Sequence, residues 1–245
     1  MARKSARAIA AAEAASAAAP EEESNGSGTA KVSVSDLSAK SCLTCGRVIT
    51  PRAKWAKDWP GIKYCSDRCR STRPGKIVVR FTSTADITAL QGLGGVEVVG
   101  DELRVDLETF VESVLLDVAD NGNATLEDVQ QRIVSLLHSA HILTEESRKA
   151  KGGDESSEGS GMEDTRGKEL HPLWKALDSA PGLRERVRRA ARRLALGITH
   201  DSDAQQTNIT TTDNGRLQLI QAGKLLRTVE DLSFAKGVLH IRRKP

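Results

Sequence analysis

The chain has 245 residues, of which only 38% are hydrophobic and 3% aromatic. Because an ordinary globular domain is roughly 45–50% apolar, we expect two small modules with linkers rather than one large core. No run of about 18 apolar residues is present, which excludes a membrane-spanning helix, and the alanine-rich start lacks the aliphatic segment of a secretory signal. We therefore expect an intracellular protein of the nucleus or cytoplasm, with mitochondrial import as an alternative for this leader.

The net charge of +3 conceals a strong asymmetry along the chain. Residues 31–75 hold 10 Lys and Arg against 3 Asp and Glu, residues 76–170 hold 9 against 19, and residues 171–245 hold 14 against 7. Two basic segments therefore flank an acidic one. This pattern predicts either that the basic segments bind a polyanion or that they dock onto the acidic middle.

The first ordered module is predicted around the cysteines. Residues 1–40 have the alanine-rich and then Glu-, Ser- and Gly-rich composition of a disordered leader. All four cysteines follow, within a module over residues 41–75, as two close pairs: Cys42, Cys45, Cys65 and Cys69. Two such pairs are typical of a tetrahedral Zn²⁺ site, and the alternatives are two disulfides or four free thiols. Since the four thiolates would complete the coordination shell, we expect one structural Zn²⁺ in a treble-clef-like zinc finger.

Cations and aromatic rings alternate between the two cysteine pairs, and Tyr64 adjoins the second pair. Such a pattern suits nucleic acid, because cations neutralise phosphates and rings stack on bases. The alternative is that the rings form a small core beside the zinc while the cations are solvated. The candidate nucleic-acid-binding residues here are Arg52, Lys54, Trp55, Lys57, Trp59 and Lys63.

Three motifs of this module match a known family. The segments C-L-T-C-G-R, R-A-K-W-A-K-D-W and K-Y-C-S-D-R-C-R, within residues 42–70, resemble domain-of-unknown-function family 2256. The resemblance implies a small module with the same four ligands, but it implies no activity, because the family has no settled function.

Helices are predicted beyond a linker over residues 76–105 that contains possible short strands. Apolar residues recur at helical spacing from Leu107, and Asn121-Gly122 ends that helix. Thr125 and Asp128 form a variant capping box for a second helix. Residues 145–170 have the composition of a disordered insertion.

Two further helices and a hairpin are predicted towards the C-terminus. Pro172 begins a short helix, Pro181 begins a longer one that Gly197 ends, and Asn214-Gly215 favours a β-hairpin turn. Arginines surround the apolar stripe of the longer helix. The sequence leaves three alternatives for these arginines: they are solvated, they pair with the acidic 100–130 segment, or they bind DNA. The candidates for nucleic-acid contact are Arg184, Arg188, Arg189, Arg192 and Arg193.

Helices followed by a β-hairpin are typical of a winged helix. Residues 107–245 also resemble domain-of-unknown-function family 3253, through the helical pair around Phe110 and Val129, the W-K-A-L…V-R-R-A…L segment and the ending K-G-V-L-H-I-R. That resemblance implies a winged-helix-like domain over residues 106–245 and an α+β protein overall. It also implies a domain that occurs joined to family 2256.

These observations predict a non-enzymatic adaptor that binds zinc and nucleic acid. No nucleophile motif, phosphate-binding loop or paired-carboxylate site indicates an enzyme or a small-molecule substrate. The alternative is a zinc-dependent adaptor that binds a protein partner instead of nucleic acid.

Overall fold

A β-hairpin and a short helix carry the four cysteines in the computed structural model, which describes residues 33–82, 88–151, 171–198 and 209–245. Strands β1 (Lys40–Ser41) and β2 (Val48–Ile49) pair antiparallel, and helix α1 (Asp67–Ser71) follows after two single 3₁₀ turns. Side chains of the helix that spans Leu126–Lys151 are described only as far as residue 138. The predicted leader lies outside the described residues up to residue 32.

A three-stranded sheet occupies the segment for which the sequence indicated a linker with short strands. It contains β3 (Val78–Thr82), β4 (Val96–Val99) and β5 (Glu102–Asp106), all antiparallel, in the order β3-β5-β4. In β5 buried and half-buried residues alternate strictly, because one face of the strand packs on the core.

Helices follow this sheet in the described residues. They are α2 (Leu107–Ala119), α3 (Leu126–Lys151), α4 (Pro172–Asp178) and α5 (Leu183–Leu196). The predicted capping box is present, because the Asp128 carboxylate accepts the Thr125 N–H at 2.7 Å and the Thr125 hydroxyl accepts the Asp128 N–H at 3.2 Å. Helix α3 continues into the predicted insertion, of which residues 152–170 lie outside the described part.

A second antiparallel sheet closes the chain. Its order is β6-β9-β7-β8, formed by β6 (Ala124–Thr125), β7 (Leu217–Gln221), β8 (Lys224–Leu226) and β9 (His240–Arg243), with helix α6 (Val229–Phe234) between β8 and β9. The predicted hairpin at Asn214-Gly215 is wrong. The hairpin turn lies instead at Ala222-Gly223, where both residues have positive φ.

The cysteine module (residues 41–75) shares a core with the helices. Leu43 is buried in the same apolar cluster as the helical core residues, and Val48 and Tyr64 pack against that cluster. All described residues belong to one compact α+β unit. None of their helices is long and apolar enough to cross a membrane.

Candidate metal centre and its arginine helix

The four cysteine sulfurs converge on one point. All four Sγ atoms lie within 4.8 Å of one another, and Sγ of Cys65 is 3.6 Å from that of Cys45 and 3.4 Å from that of Cys69. A tetrahedral ion with metal–sulfur bonds of about 2.3 Å places its ligands about 3.8 Å apart, whereas a disulfide needs about 2.05 Å. The prediction of a four-cysteine cluster that could hold a metal ion is confirmed. The disulfide alternative is wrong, because all four cysteines are free thiols in this structure.

Two local structures aim the sulfurs inward. Cys42 and Cys45 lie on the β1–β2 turn, where the Gly46 N–H donates to the Cys42 carbonyl at 2.8 Å. Cys65 directly precedes the N-cap residue Ser66, and Cys69 lies in the first turn of α1. The Ser66 hydroxyl caps this helix by accepting the Cys69 N–H at 3.2 Å. Serine is one of the residue types that favour such a cap.

A hydroxyl joins the two halves of the site. Thr44 Oγ1 donates to the Cys69 carbonyl at 2.7 Å, so the first cysteine pair is tied directly to the second. Hydrogen bonds from the Cys42 thiol, and then from those of Cys45 and Cys65, lower the pKa of Cys69. Four sulfurs this close together form a favourable site for a cation, since metals bind cysteine in its deprotonated form.

Trp59 forms the small core beside the cysteines. Its side chain is 3% exposed and packs with three of the cysteines and Ile49. Lys40, which the sequence did not single out, is also buried, and its ammonium donates to the Trp59 carbonyl at 2.7 Å. Burial lowers the pKa of Lys40. The prediction that Trp59 stacks on a base is therefore wrong for this conformation, because no face of the ring reaches solvent.

The remaining candidates of the module lie closer to solvent. Arg52, Lys54 and Lys57 are exposed, whereas Trp55 and Lys63 are half-buried. The Arg52 guanidinium lies 5.0 Å from the centre of the Trp55 ring, and the Lys54 ammonium lies 4.9 Å from it. The 3₁₀ turn at Ala53–Trp55 brings these cations together around one indole.

Helix α5 turns its arginines towards the cysteine module. Arg192 Nε donates to the Cys45 carbonyl at 2.6 Å, and Arg193 Nη1 donates to the Thr44 carbonyl at 2.6 Å. Arg189 Nη1 donates to the hydroxyl of Thr72, just after α1, at 3.1 Å. Arg192 and Arg193 therefore act as donors to the turn that carries the first ligand pair, and Arg189 acts as a donor to the segment just after α1.

Acidic side chains of α2, and one of α5 itself, neutralise the arginines of α5. The buried Glu108 carboxylate accepts from Arg186 Nη1 at 2.6 Å and lies 3.3 Å from Arg193 Nη1, and Glu112 lies 2.7 Å from Arg193 Nη2. Glu185 contacts Arg192 at 3.1 Å. The sequence alternative in which this helix pairs with the acidic 100–130 segment is confirmed.

The nucleic-acid prediction for the helix needs a correction at three positions. Arg189, Arg192 and Arg193 are at most 6% exposed, because the cysteine module and helix α2 cover them, so they do not meet a phosphate in this structure. Arg184 is exposed, and half-buried Arg188 donates to the Gly237 carbonyl at 2.9 Å.

Gly46 allows the module to approach the helix closely. Its φ is +64°, and a Cβ added there would lie 2.7 Å from Cβ of Arg192. A side chain at this position would be strained by the backbone and would also collide with α5.

One family model matches part of the chain. Residues 33–72 match the family described as "Uncharacterized protein conserved in bacteria (DUF2256)". That match includes all four cysteines, Trp55 and Trp59, and it ends at Thr72, whose hydroxyl receives Arg189. No curated protein and no solved structure matches the chain. The resemblance of residues 107–245 to family 3253, and with it the winged-helix assignment, stays a prediction.

Proposed function

We propose that the chain is a non-enzymatic, zinc-folded protein that binds single-stranded nucleic acid through the exposed face of its cysteine module. The observation that carries the proposal is the Trp55 indole between Arg52 and Lys54, with Lys57 exposed nearby. Base–aromatic stacking contributes about 1–3 kcal/mol per base, and neighbouring cations neutralise the backbone.

Zinc is the metal best suited to this donor set. Four thiolates with tetrahedral spacing favour Zn²⁺ or an iron–sulfur cluster, and ligands within 4.8 Å of one another suit a single ion. Four sulfurs fill a tetrahedral shell, so this zinc would fold the module and would have no open position for a substrate. This closed shell supports a binding role rather than a catalytic one.

The expected nucleic-acid surface is the module, not the arginine helix. Besides the cations around Trp55, Arg68 and Arg70 of α1 are exposed on the module, against the exposed Asp58 and Asp67. A single strand can present an unpaired base to the indole, whereas a duplex keeps its bases stacked. We therefore expect single strands to bind more tightly than a duplex of equal length.

The test is a titration of labelled 20-nucleotide single strands and a matched duplex with the metal-loaded full chain, at several salt concentrations. Native mass spectrometry first establishes one zinc per chain and its loss in Cys65→Ser. The triple variant Arg52→Ala, Lys54→Ala, Lys57→Ala should bind at least tenfold more weakly. It should also lower the salt slope by about two, since each phosphate contact on a single strand contributes about 0.7.

The matched control is a second triple variant, Arg216→Ala, Lys224→Ala, Arg227→Ala. It removes three exposed cations in or next to strands β7 and β8 of the second sheet. This control loses the same three positive charges as the first triple variant, but the Trp55 indole keeps its cations. It should therefore bind nucleic acid as tightly as the unmodified chain does. If both triple variants lost the same amount of affinity, the binding would depend on net charge alone and not on the Trp55 surface. Tighter binding of the duplex, or affinity that ignores salt, would contradict the proposal.

A protein-interaction adaptor is the second candidate. Two exposed apolar side chains favour it, Phe234 at the end of α6 at 70% exposure and Val238 four residues later at 57% exposure, since exposed apolar surface marks contact sites. A partner that co-purifies after nuclease treatment and is lost in Phe234→Ser would support this function. Loss only in the Arg52, Lys54, Lys57 variant would contradict it.

A further inference from the structure

The cysteine module covers a row of arginines on α5. It accepts a hydrogen bond from each of three of them, through the Thr72 hydroxyl to Arg189, the Cys45 carbonyl to Arg192 and the Thr44 carbonyl to Arg193. Two of these acceptors belong to the turn between the first two metal ligands. Their positions therefore depend on the turn that the metal–sulfur bonds would fix.

The covered arginines differ in what else holds them. Arg193 contacts Glu108 and Glu112 of α2, which remain in place without the module. Arg189 and Arg192 share the single carboxylate of Glu185, which also contacts Arg47 of the module. If the module moves away, two arginines and one carboxylate remain at this part of the helix.

Arginines at the surface extend this face along the helix. Arg184, Arg188 and Arg192 are spaced four residues apart, so they lie on one side of α5. Arg184 is already exposed and Arg188 is half-buried. Removing the cover would therefore create a continuous face of three arginines, with Arg189 beside them, against one glutamate. Guanidinium groups suit phosphate oxygens.

We propose that α5 carries a latent polyanion-binding face, which the metal-loaded cysteine module covers and which loss of the metal uncovers. The inference uses the metal centre of the proposed function but none of the Trp55 surface. The ligand class is a phosphate polymer, bound through its charges alone. The module is also tied to α6, where the Val48 N–H donates to Ser233 Oγ at 2.8 Å, so opening has to break this contact as well.

Arginine modification tests the uncovering without any mutation. The full chain is treated with phenylglyoxal, metal-loaded or stripped by a chelator, and the modified residues are located by mass spectrometry. Arg189 and Arg192 should react at least tenfold faster after stripping. Arg186 is the internal control, because its partners Glu108 and the Ala176 carbonyl lie outside the module, and it should stay slow.

Binding of inorganic polyphosphate gives a second readout. Stripping should tighten this binding at least tenfold, and Arg184→Ala with Arg188→Ala should weaken it in the stripped chain. The Arg52, Lys54, Lys57 triple variant should leave it unchanged, which separates this face from the nucleic-acid surface. Equal modification rates with and without metal, faster modification of Arg186, or weaker polyphosphate binding after stripping would each overturn the inference.

Discussion

Replacing Glu108 by glutamine should destabilise the fold more than any surface substitution. The Glu108 side chain is 0% exposed, and its two oxygens serve two guanidinium groups that are each 1% exposed. Glutamine keeps the volume and removes the charge. The neutral amide would therefore leave buried guanidinium charges without a full negative partner. An uncompensated buried charge is what makes breaking a buried ion pair strongly destabilising.

The magnitude follows from what each arginine retains. Arg193 keeps Glu112 at 2.7 Å and the Thr44 carbonyl at 2.6 Å. Arg186 keeps only a 3.5 Å contact to the Ala176 carbonyl among the contacts described for it. The loss therefore falls mainly on Arg186, and we expect a decrease in the free energy of unfolding of about 3–5 kcal/mol, or a Tm lower by about 10 °C for a chain of this size.

Urea unfolding followed by far-ultraviolet circular dichroism measures this difference. The matched control is Glu102→Gln, which removes a 3.1 Å pair with Arg104 in which both side chains are about one-third exposed. That pair should contribute less than about 1 kcal/mol. If Glu108→Gln costs no more than Glu102→Gln, then the buried Glu108 network does not hold α2 and α5 together.

Two more substitutions test smaller parts of the structure. Gly46→Ala should lower the free energy of unfolding by about 1–2 kcal/mol from backbone strain alone, and the clash with Arg192 should lower it further. The same substitution should speed amide hydrogen exchange in α5. An unchanged Tm and exchange rate would contradict the close docking of the module on α5. The Thr125 N–H and then the Thr125 hydroxyl lower the pKa of Asp128, so its contribution is complete above the unfolded pKa of about 3.9 and is lost as pH falls through the lower folded value. The stability difference between the unmodified chain and Asp128→Asn should therefore be present at pH 6 and vanish at acid pH, and a difference that persists there would refute the assignment.

Local rules predicted those parts of the fold that depend on neighbours in sequence. The Thr125 capping box, the end of α5 at Gly197 and the start of α4 at Pro172 each follow from the needs of a helix terminus. The four cysteines belong to the same class, because ligand spacing within a short module fixes which sulfurs can meet. In each case a contact within a few residues, or within one small module, carries the information.

Long-range packing decided what the sequence could not. Asn214-Gly215 has the composition of a hairpin turn, yet a Cβ at Gly215 would lie 1.8 Å from the Ala195 carbonyl oxygen. This glycine is required by close approach to α5 rather than by a turn. Ala222-Gly223 forms the turn although alanine is rarely found at positive φ, because pairing of β7 with β8 fixes it there.

The arginine helix shows why charge alone predicts a partner poorly. Arg186 and Arg193 are seven residues apart and lie on one side of α5, as Val187 and Leu194 do. Ala190 and Ala191 lie between the two arginines in the sequence and are buried. Their small side chains leave room for the long arginine side chains to cross a buried interface. Acidic Glu108 and Glu112 occur four residues apart on α2, which is the matching spacing. An arginine-rich helix with alanine in its centre, together with paired glutamates on another helix, therefore favours an internal contact before an external one. The exposed cations around Trp55 have no described acidic partner of this kind, so the search for a partner should begin there.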